Sequence, residues 1–111
     1  MRRAMKNALI AICFAAAGAH AVAEDSWRTL CEEVADLAST TMASRQSGAP
    51  MANVMSMSED PSFEDIVISA YERPRYTTQE HQQRAIQNFR DEWYLDCVKA
   101  ARRVEALRRN E

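Results

Sequence analysis

The stretch Thr77–Arg109, TTQEHQQRAIQNFRDEWYLDCVKAARRVEALRR, decides the fold. Ile86, Phe89, Trp93, Cys97, Ala100, Val104 and Leu107 recur at steps of three and four, the spacing that lines one face of an α-helix. No proline or glycine interrupts them. Thr77-Thr78-Gln79-Glu80 in front of the run reads as a capping box, with Thr77 as the cap and Glu80 reaching back to its amide. These signals predict one helix from about Thr78 to about Arg108, about 45 Å long at 1.5 Å per residue. A domain this small is narrower than that, so the last two or three turns are expected to project or fray.

Working back from this helix, the chain repeats the same period. Asp60 is a good N-cap, Pro61 suits the first helical position, and Glu64 and Asp65 sit where the helix dipole favours negative charge. Phe63, Ile66, Val67, Ala70 and Tyr71 follow an i, i+3, i+4, i+7, i+8 pattern. Ile66-Val67-Ile68 has strand propensity, but spacing and caps favour helix, which Pro74 ends by disfavouring helix at Arg73. Pro50 opens a shorter helix with Met51, Val54 and Met55 on one side, ended by Met57 and Ser58-Glu59. Before it, Trp27, Leu30, Cys31, Val34, Leu37, Ala38, Thr41 and Met42 form an apolar stripe from about Ser26 to about Ser47. Gly48 and Pro50 close that helix, glycine taking the left-handed position and proline forbidding continuation. The fold class is therefore all-α: a small bundle of three to four helices. Met42, Met51, Met55 and Met57 read as loose core packing in preference to an adaptable binding surface.

The segment ahead of these helices has a different character. Arg2, Arg3 and Lys6 precede the small-residue apolar run Ala8–Ala19, and Ala21-Val22-Ala23 supplies small residues before Glu24. This is the order of a secretory signal peptide over 1–23, cleaved after Ala23, leaving one helical domain over 24–111 in the periplasm or outside the cell. The run is too short and alanine-rich for a permanent span, so membrane contact is expected only through the leader. Cys13 follows the bulky Ile12, which argues against acylation there. Three of the fourteen Lys and Arg residues lie in the leader, so residues 24–111 carry eleven against sixteen Asp and Glu, a formal charge of −5. That balance is poor for nucleic acid, whose binding requires neutralising many phosphates.

Removal of the leader leaves Cys31 and Cys97, and an oxidising compartment favours their pairing over a free catalytic thiol with no local histidine. Both lie on apolar stripes, so the bridge would staple the first helix to the last. Closing a loop this long contributes about 4 kcal/mol in the chain-entropy model. Trp27 and Trp93 each lie one turn before a cysteine. They would fall on opposite sides of the bridge in an antiparallel pair and on the same side in a parallel one.

Routes to catalysis are few. His20 leaves with the leader, so His81 is the only histidine, set in the polar stretch Gln79-Glu80-His81-Gln82-Gln83 as an exposed solubilising residue. No metal-ligand spacing occurs, and Glu32/Asp36 and Glu92/Asp96 read as surface charge. Gly48 is the only glycine after the leader, which excludes phosphate loops and dinucleotide fingerprints. No catalytic residue, metal or cofactor is expected. Arg45-Gln46-Ser47-Gly48 reads as positive charge at a helix C-terminus followed by a glycine cap. Lys99–Arg109 reads as a solvated basic helix end, with Glu105 able to pair with Arg102 or Arg109. The strongest interaction candidate is Ala70-Tyr71-Glu72-Arg73-Pro74-Arg75-Tyr76. Its residues Tyr71, Arg73, Arg75 and Tyr76 are of the types that dominate interface hot spots. The competing reading has the rings packed across the bend and the arginines paired with Glu72 and neighbouring acids.

The combination Trp27-x-x-x-Cys31, Arg45-Gln46-x-Gly48, Ala70-Tyr71-x-x-Pro74-Arg75-Tyr76 and Trp93-Tyr94-x-x-Cys97 resembles a group of small uncharacterised exported proteins of proteobacteria and their phages. The resemblance implies no activity. In architecture the chain is also similar to periplasmic acid-stress chaperones of the HdeA type, which are small, exported and helical with one disulfide. It departs from them in placing its second cysteine in the last helix. The expected function is a non-enzymatic periplasmic interaction protein that binds another protein through the Tyr71–Tyr76 bend, with the methionine-bearing segment as a second candidate contact. An acid-responsive holdase and a small cell-wall or lysis-related hydrolase are the alternatives.

Overall fold

The computed structural model describes residues 26–110, and within them the chain is helical with short connections. Helix α1 covers 26–47, α2 Met51–Met55, α3 Pro61–Tyr71 and α4 Gln79–Arg109. The leader, with Cys13 and His20, lies outside the described residues, as do Glu24 and Asp25.

Each boundary has a local cause. α1 ends in a Schellman arrangement: the Gly48 amide donates to Arg45 O at 3.1 Å and the Ala49 amide to Ser44 O at 3.0 Å, with Gly48 at φ +89°. Pro50 follows and serves as the N-cap residue of α2. Asp60 caps α3 by accepting from the Ser62 amide at 2.9 Å, with Pro61 in the first helical position. Ile66-Val67-Ile68 is helical, so the strand alternative falls.

The cap of α4 differs from the expected one by a residue. Thr78, not Thr77, is the N-cap; its Oγ1 accepts the His81 amide at 3.3 Å. Glu80 therefore sits one position too early to close a capping box, and its carboxylate pairs with Arg84 at 3.0 Å instead. Two successive threonines offer the same chemistry, and the exit of the preceding bend selects the second.

Helices α1 and α4 run antiparallel, which puts Trp27 and Trp93 on opposite sides of the bridge. Cys31 is bonded to Cys97 with Cα atoms 5.5 Å apart, and five residues on, Asp36 meets Arg90 at 2.6 Å. The first and last helices are thus covalently joined. Their register brings Ala38 and Met42 of α1 against Phe89 of α4, with Ile66 and Ala70 of α3 completing the cluster. A second, smaller cluster of Val54, Phe63 and Val67 holds α2 on α3, and Tyr71 touches both clusters.

The buried face of α1 differs from the expected stripe. Cys31, Ala35, Ala38, Thr41, Met42 and Gln46 are buried, whereas Leu30 and Leu37 are exposed. A disulfide holds the two backbones too close for leucine at the contact, so α1 is turned to present its alanines. The methionines divide as well. Met42 is in the core and Met55 is half-buried, but Met51 and Met57 are exposed, because five-residue α2 has room to bury only Val54. On α4, Phe89 is buried, while Ala100, Val104 and Leu107 at its far end are exposed. Those last turns stay helical and project, with residues 102–110 all exposed. Glu105 pairs with neither Arg102 nor Arg109.

Candidate functional site

The Tyr71–Tyr76 bend carries the densest set of specific polar contacts among the described residues, and Gln46 is at its centre. This side chain sits one position inside the end of α1 and is only 2% exposed. Its Oε1 accepts the Tyr76 amide at 2.8 Å and its Nε2 donates to Pro74 O at 3.0 Å. Nε2 also lies 3.4 Å from Met42 Sδ. One primary amide therefore supplies both the acceptor and the donor that an extended strand would otherwise supply. That is the pairing a buried amide needs to offset its desolvation.

The four residues expected to contact a partner are each anchored by this clasp or near it. The Tyr71 hydroxyl donates to Ala49 O, and the Arg45 guanidinium stands 5.2 Å from the Tyr71 ring centroid. Arg73 forms a two-pronged pair with Glu92, its nitrogens 3.3 and 2.7 Å from the two carboxylate oxygens. That hydrogen-bonded carboxylate raises the Arg73 guanidinium above its ordinary value, against a smaller opposing effect of burial. Arg73 also covers the Phe89 ring at 5.4 Å, and its carbonyl accepts from Arg45 Nε at 3.2 Å. The acid that binds Arg73 is thus Glu92 on α4, not the adjacent Glu72. Asp36 and Glu92, expected as surface charge, each tie two elements together.

Arg75 and Tyr76 are the outward-facing pair. Arg75 Nε donates to Gln46 O at 3.0 Å, and its guanidinium lies across the Cα of Gly48. Tyr76 is 40% exposed; its carbonyl accepts from Gln82 Nε2 at 2.7 Å and its ring sits 5.9 Å from the His81 ring. His81 is exposed as expected, with Nδ1 2.9 Å from Thr78 Oγ1. Arg75, Tyr76, Thr77 and Gln82 line a concavity of about 300 Å³. The bend is thus held from α1, from α4 and from its own exit, while two of its four side chains face solvent.

A second concavity, of about 350 Å³, lies at the other end of the molecule. Trp27, Leu30, Ala101 and Val104 form its walls beside the Cys31–Cys97 bridge. It is a mainly apolar groove between the first described turns of α1 and the far turns of α4, with Glu105 and Arg108 also in its lining. Among the described residues no group of three or more His, Cys, Asp or Glu side chains converges as a metal site would. No described helix is long and apolar enough to cross a membrane.

Gln46 is the residue that sequence reasoning missed. It stood in a segment already singled out, Arg45-Gln46-Ser47-Gly48, but a glutamine near a helix end gives no sign of burial. The available signal was its phase, since it continues the Cys31, Ala35, Ala38, Met42 face by one more step. Comparison of the chain with protein-family models, curated proteins and solved structures returns no match.

Proposed function

We propose that this chain is a non-catalytic binding protein of the periplasm or extracellular space. In this reading it is delivered by the leader over 1–23 and recognises another protein through the outer face of the bend, Arg75 and Tyr76 above all. The observation that carries the reading is the Gln46 clasp. Two hydrogen bonds of a buried side chain fix the main chain at Pro74 and Tyr76, on either side of the exposed Arg75 and next to the exposed Tyr76 ring. A surface ordered before binding loses less conformational entropy on docking, which is why rigid aromatic and arginine anchors dominate interface energetics. The disulfide supports an oxidising, non-cytoplasmic location, since such bridges persist there and are reduced in the cytosol. Exposed Met51 lies two residues after Ala49, whose carbonyl accepts Tyr71, so the start of α2 adjoins the same end of the molecule.

Tyr71 and Arg73 have a positioning role in this reading, and Arg75 and Tyr76 a contact role. The test is capture from periplasmic extract on immobilised wild-type protein, Tyr76→Ala, and a distant surface control, Leu107→Ser. A partner retained by wild type and by Leu107→Ser but lost from Tyr76→Ala is the expected result. Identical retention on all three, or none on any, overturns the proposal.

A further inference from the structure

We infer that the concavity beside the bend is a carboxylate-binding pocket, taking an acidic side chain of a partner's peptide segment, with Arg75 as its recognition residue. The inference deepens the proposed docking role and rests on it.

The argument begins with the arginines. Among the described residues Arg73, Arg84 and Arg90 are paired with Glu92, Glu80 and Asp36. Arg45 faces the Tyr71 ring and Arg28 the Trp27 ring. Arg75 shares with Arg45 an Nε bound to a main-chain carbonyl but, among the described residues, has no aromatic ring beneath its guanidinium. Its acceptor is Gln46 O at the C-terminal end of α1, and among the described residues no carboxylate stands within ion-pair distance of its two terminal nitrogens. The result is a guanidinium anchored through Nε, with its two terminal nitrogens unmatched by any acid of the described residues. Guanidinium binds carboxylate through two parallel N–H bonds, so a fork fixed in advance suits that ligand with little ordering cost.

The pocket's other walls agree. Thr77 contributes a hydroxyl and Gln82 an amide, one of whose N–H groups is engaged by Tyr76 O. Tyr76 supplies a ring against which the aliphatic stem of a glutamate can lie. No acidic side chain lines the concavity, and Glu80, the nearest acid along the chain on α4, is already paired with Arg84. The domain's formal −5 repels an acidic ligand at a distance, but such repulsion between exposed charges is largely screened beyond about 8 Å at physiological ionic strength. The basic run Lys99–Arg109 offers a rival attraction. Its long side chains are exposed along one projecting helix, and the groove it borders has mainly apolar walls and already places the carboxylate Glu105 among its lining beside Arg108.

The test is a nuclear magnetic resonance titration of the disulfide-bonded, isotope-labelled protein with N-acetyl-Glu-Glu-Glu-amide. N-acetyl-Gln-Gln-Gln-amide and sodium acetate at equal carboxylate concentration are the comparison arms. Saturable shifts at the Arg75 Nε–H, the Tyr76 and Thr77 amides and the Gln82 side chain are expected with the glutamate peptide alone. Loss of a charged hydrogen-bond donor should weaken that binding about tenfold in Arg75→Gln. Thr77→Val, which touches none of the clasp bonds, should weaken it about threefold. Several results would overturn the assignment: no saturation, shifts confined to Lys99–Arg109, equal response to acetate or the glutamine peptide, or unchanged affinity in Arg75→Gln. Should Arg75→Gln not fold, unchanged affinity in Thr77→Val overturns it instead. If the peptide fails while Tyr76→Ala still abolishes partner capture, the docking role stands and the acidic chemistry falls. If Tyr76→Ala retains the partner, the docking role itself falls.

Discussion

Arg75 lies across Gly48 so closely that a Cβ on that glycine would stand 2.9 Å from Arg75 Cζ. The residue that ends the first helix is therefore also the floor on which the bend's arginine rests. Gly48 has φ +89°, a left-handed conformation that costs a residue with a Cβ about 1–2 kcal/mol. Gly48→Ala should lose about that much in urea unfolding and displace the Arg75 guanidinium, visible as a shift of its Nε–H resonance. Gly48→Asn, whose side chain tolerates the left-handed region, should lose less of the backbone energy but displace the Arg75 guanidinium as well, since its Cβ meets the same atoms. Equal stability of all three proteins would show that the turn is not held as described.

Gln46→Leu preserves volume and removes both clasp bonds. It leaves the Tyr76 amide and Pro74 carbonyl without their partner, for a loss of about 1–3 kcal/mol. Hydrogen exchange at the Tyr76 amide should accelerate well beyond the global change in stability. Gln46→Glu keeps an acceptor for Tyr76 but places a carboxylate against Pro74 O, so it should also destabilise. An unchanged exchange rate at Tyr76 would remove the clasp from the argument.

Replacing both cysteines, Cys31→Ala with Cys97→Ala, should cost about 4 kcal/mol by releasing the loop of the unfolded chain. In a domain this small that is comparable with the whole net stability, so the variant should be partly unfolded without denaturant. A circular dichroism melt of the oxidised protein with and without reductant measures the same quantity. Overlapping curves would contradict the assignment.

Two apolar positions of α4 should respond oppositely. Phe89 is fully buried, and Phe89→Ala should cost about 3–5 kcal/mol. Leu107→Ser on the projecting end should fall within about 0.5 kcal/mol of wild type. Chemical denaturation of the two variants side by side tests where the core of the long helix ends.

Arg73 and Glu92 form a two-pronged but half-exposed pair, so a double-mutant cycle with alanine should give a coupling of about 0.2–1 kcal/mol. Arg73→Ala alone should cost more than Glu92→Ala, because Arg73 also covers the Phe89 ring. Equal single-variant costs would leave that ring contact without energetic weight.

How far the sequence reaches differs between fold and site. Helix positions were legible because caps and breakers act within a few residues: Asp60 and Pro61 start α3, and Gly48 and Pro50 stop α1. The cap of α4 was misplaced between Thr77 and Thr78, two hydroxyls equivalent to any local rule. The face of α1 was legible in period but not in phase, since Leu30 and Ala35 compete for the same contact and only the disulfide distance excludes leucine. Tyr71, Arg73, Arg75 and Tyr76 were legible as an unusual cluster. Their division into two anchored and two outward-facing residues was not, because it depends on Ala49 and Glu92 holding Tyr71 and Arg73 and on Gln46 holding the main chain of Pro74 and Tyr76, all distant in the chain.

The sequence by itself determined the helices, the pairing of Cys31 with Cys97 and the place of the bend, because periodicity, capping and cysteine number are properties of short segments or of simple counting. Tertiary structure alone decided that α1 and α4 are antiparallel, that Glu92 and not Glu72 neutralises Arg73, and that Arg75 is left with its fork unmatched. Those outcomes turn on which atoms of distant segments come within about 3 Å, the reach of a hydrogen bond. Such distances are set by the packing of whole helices and are written in no single stretch of chain.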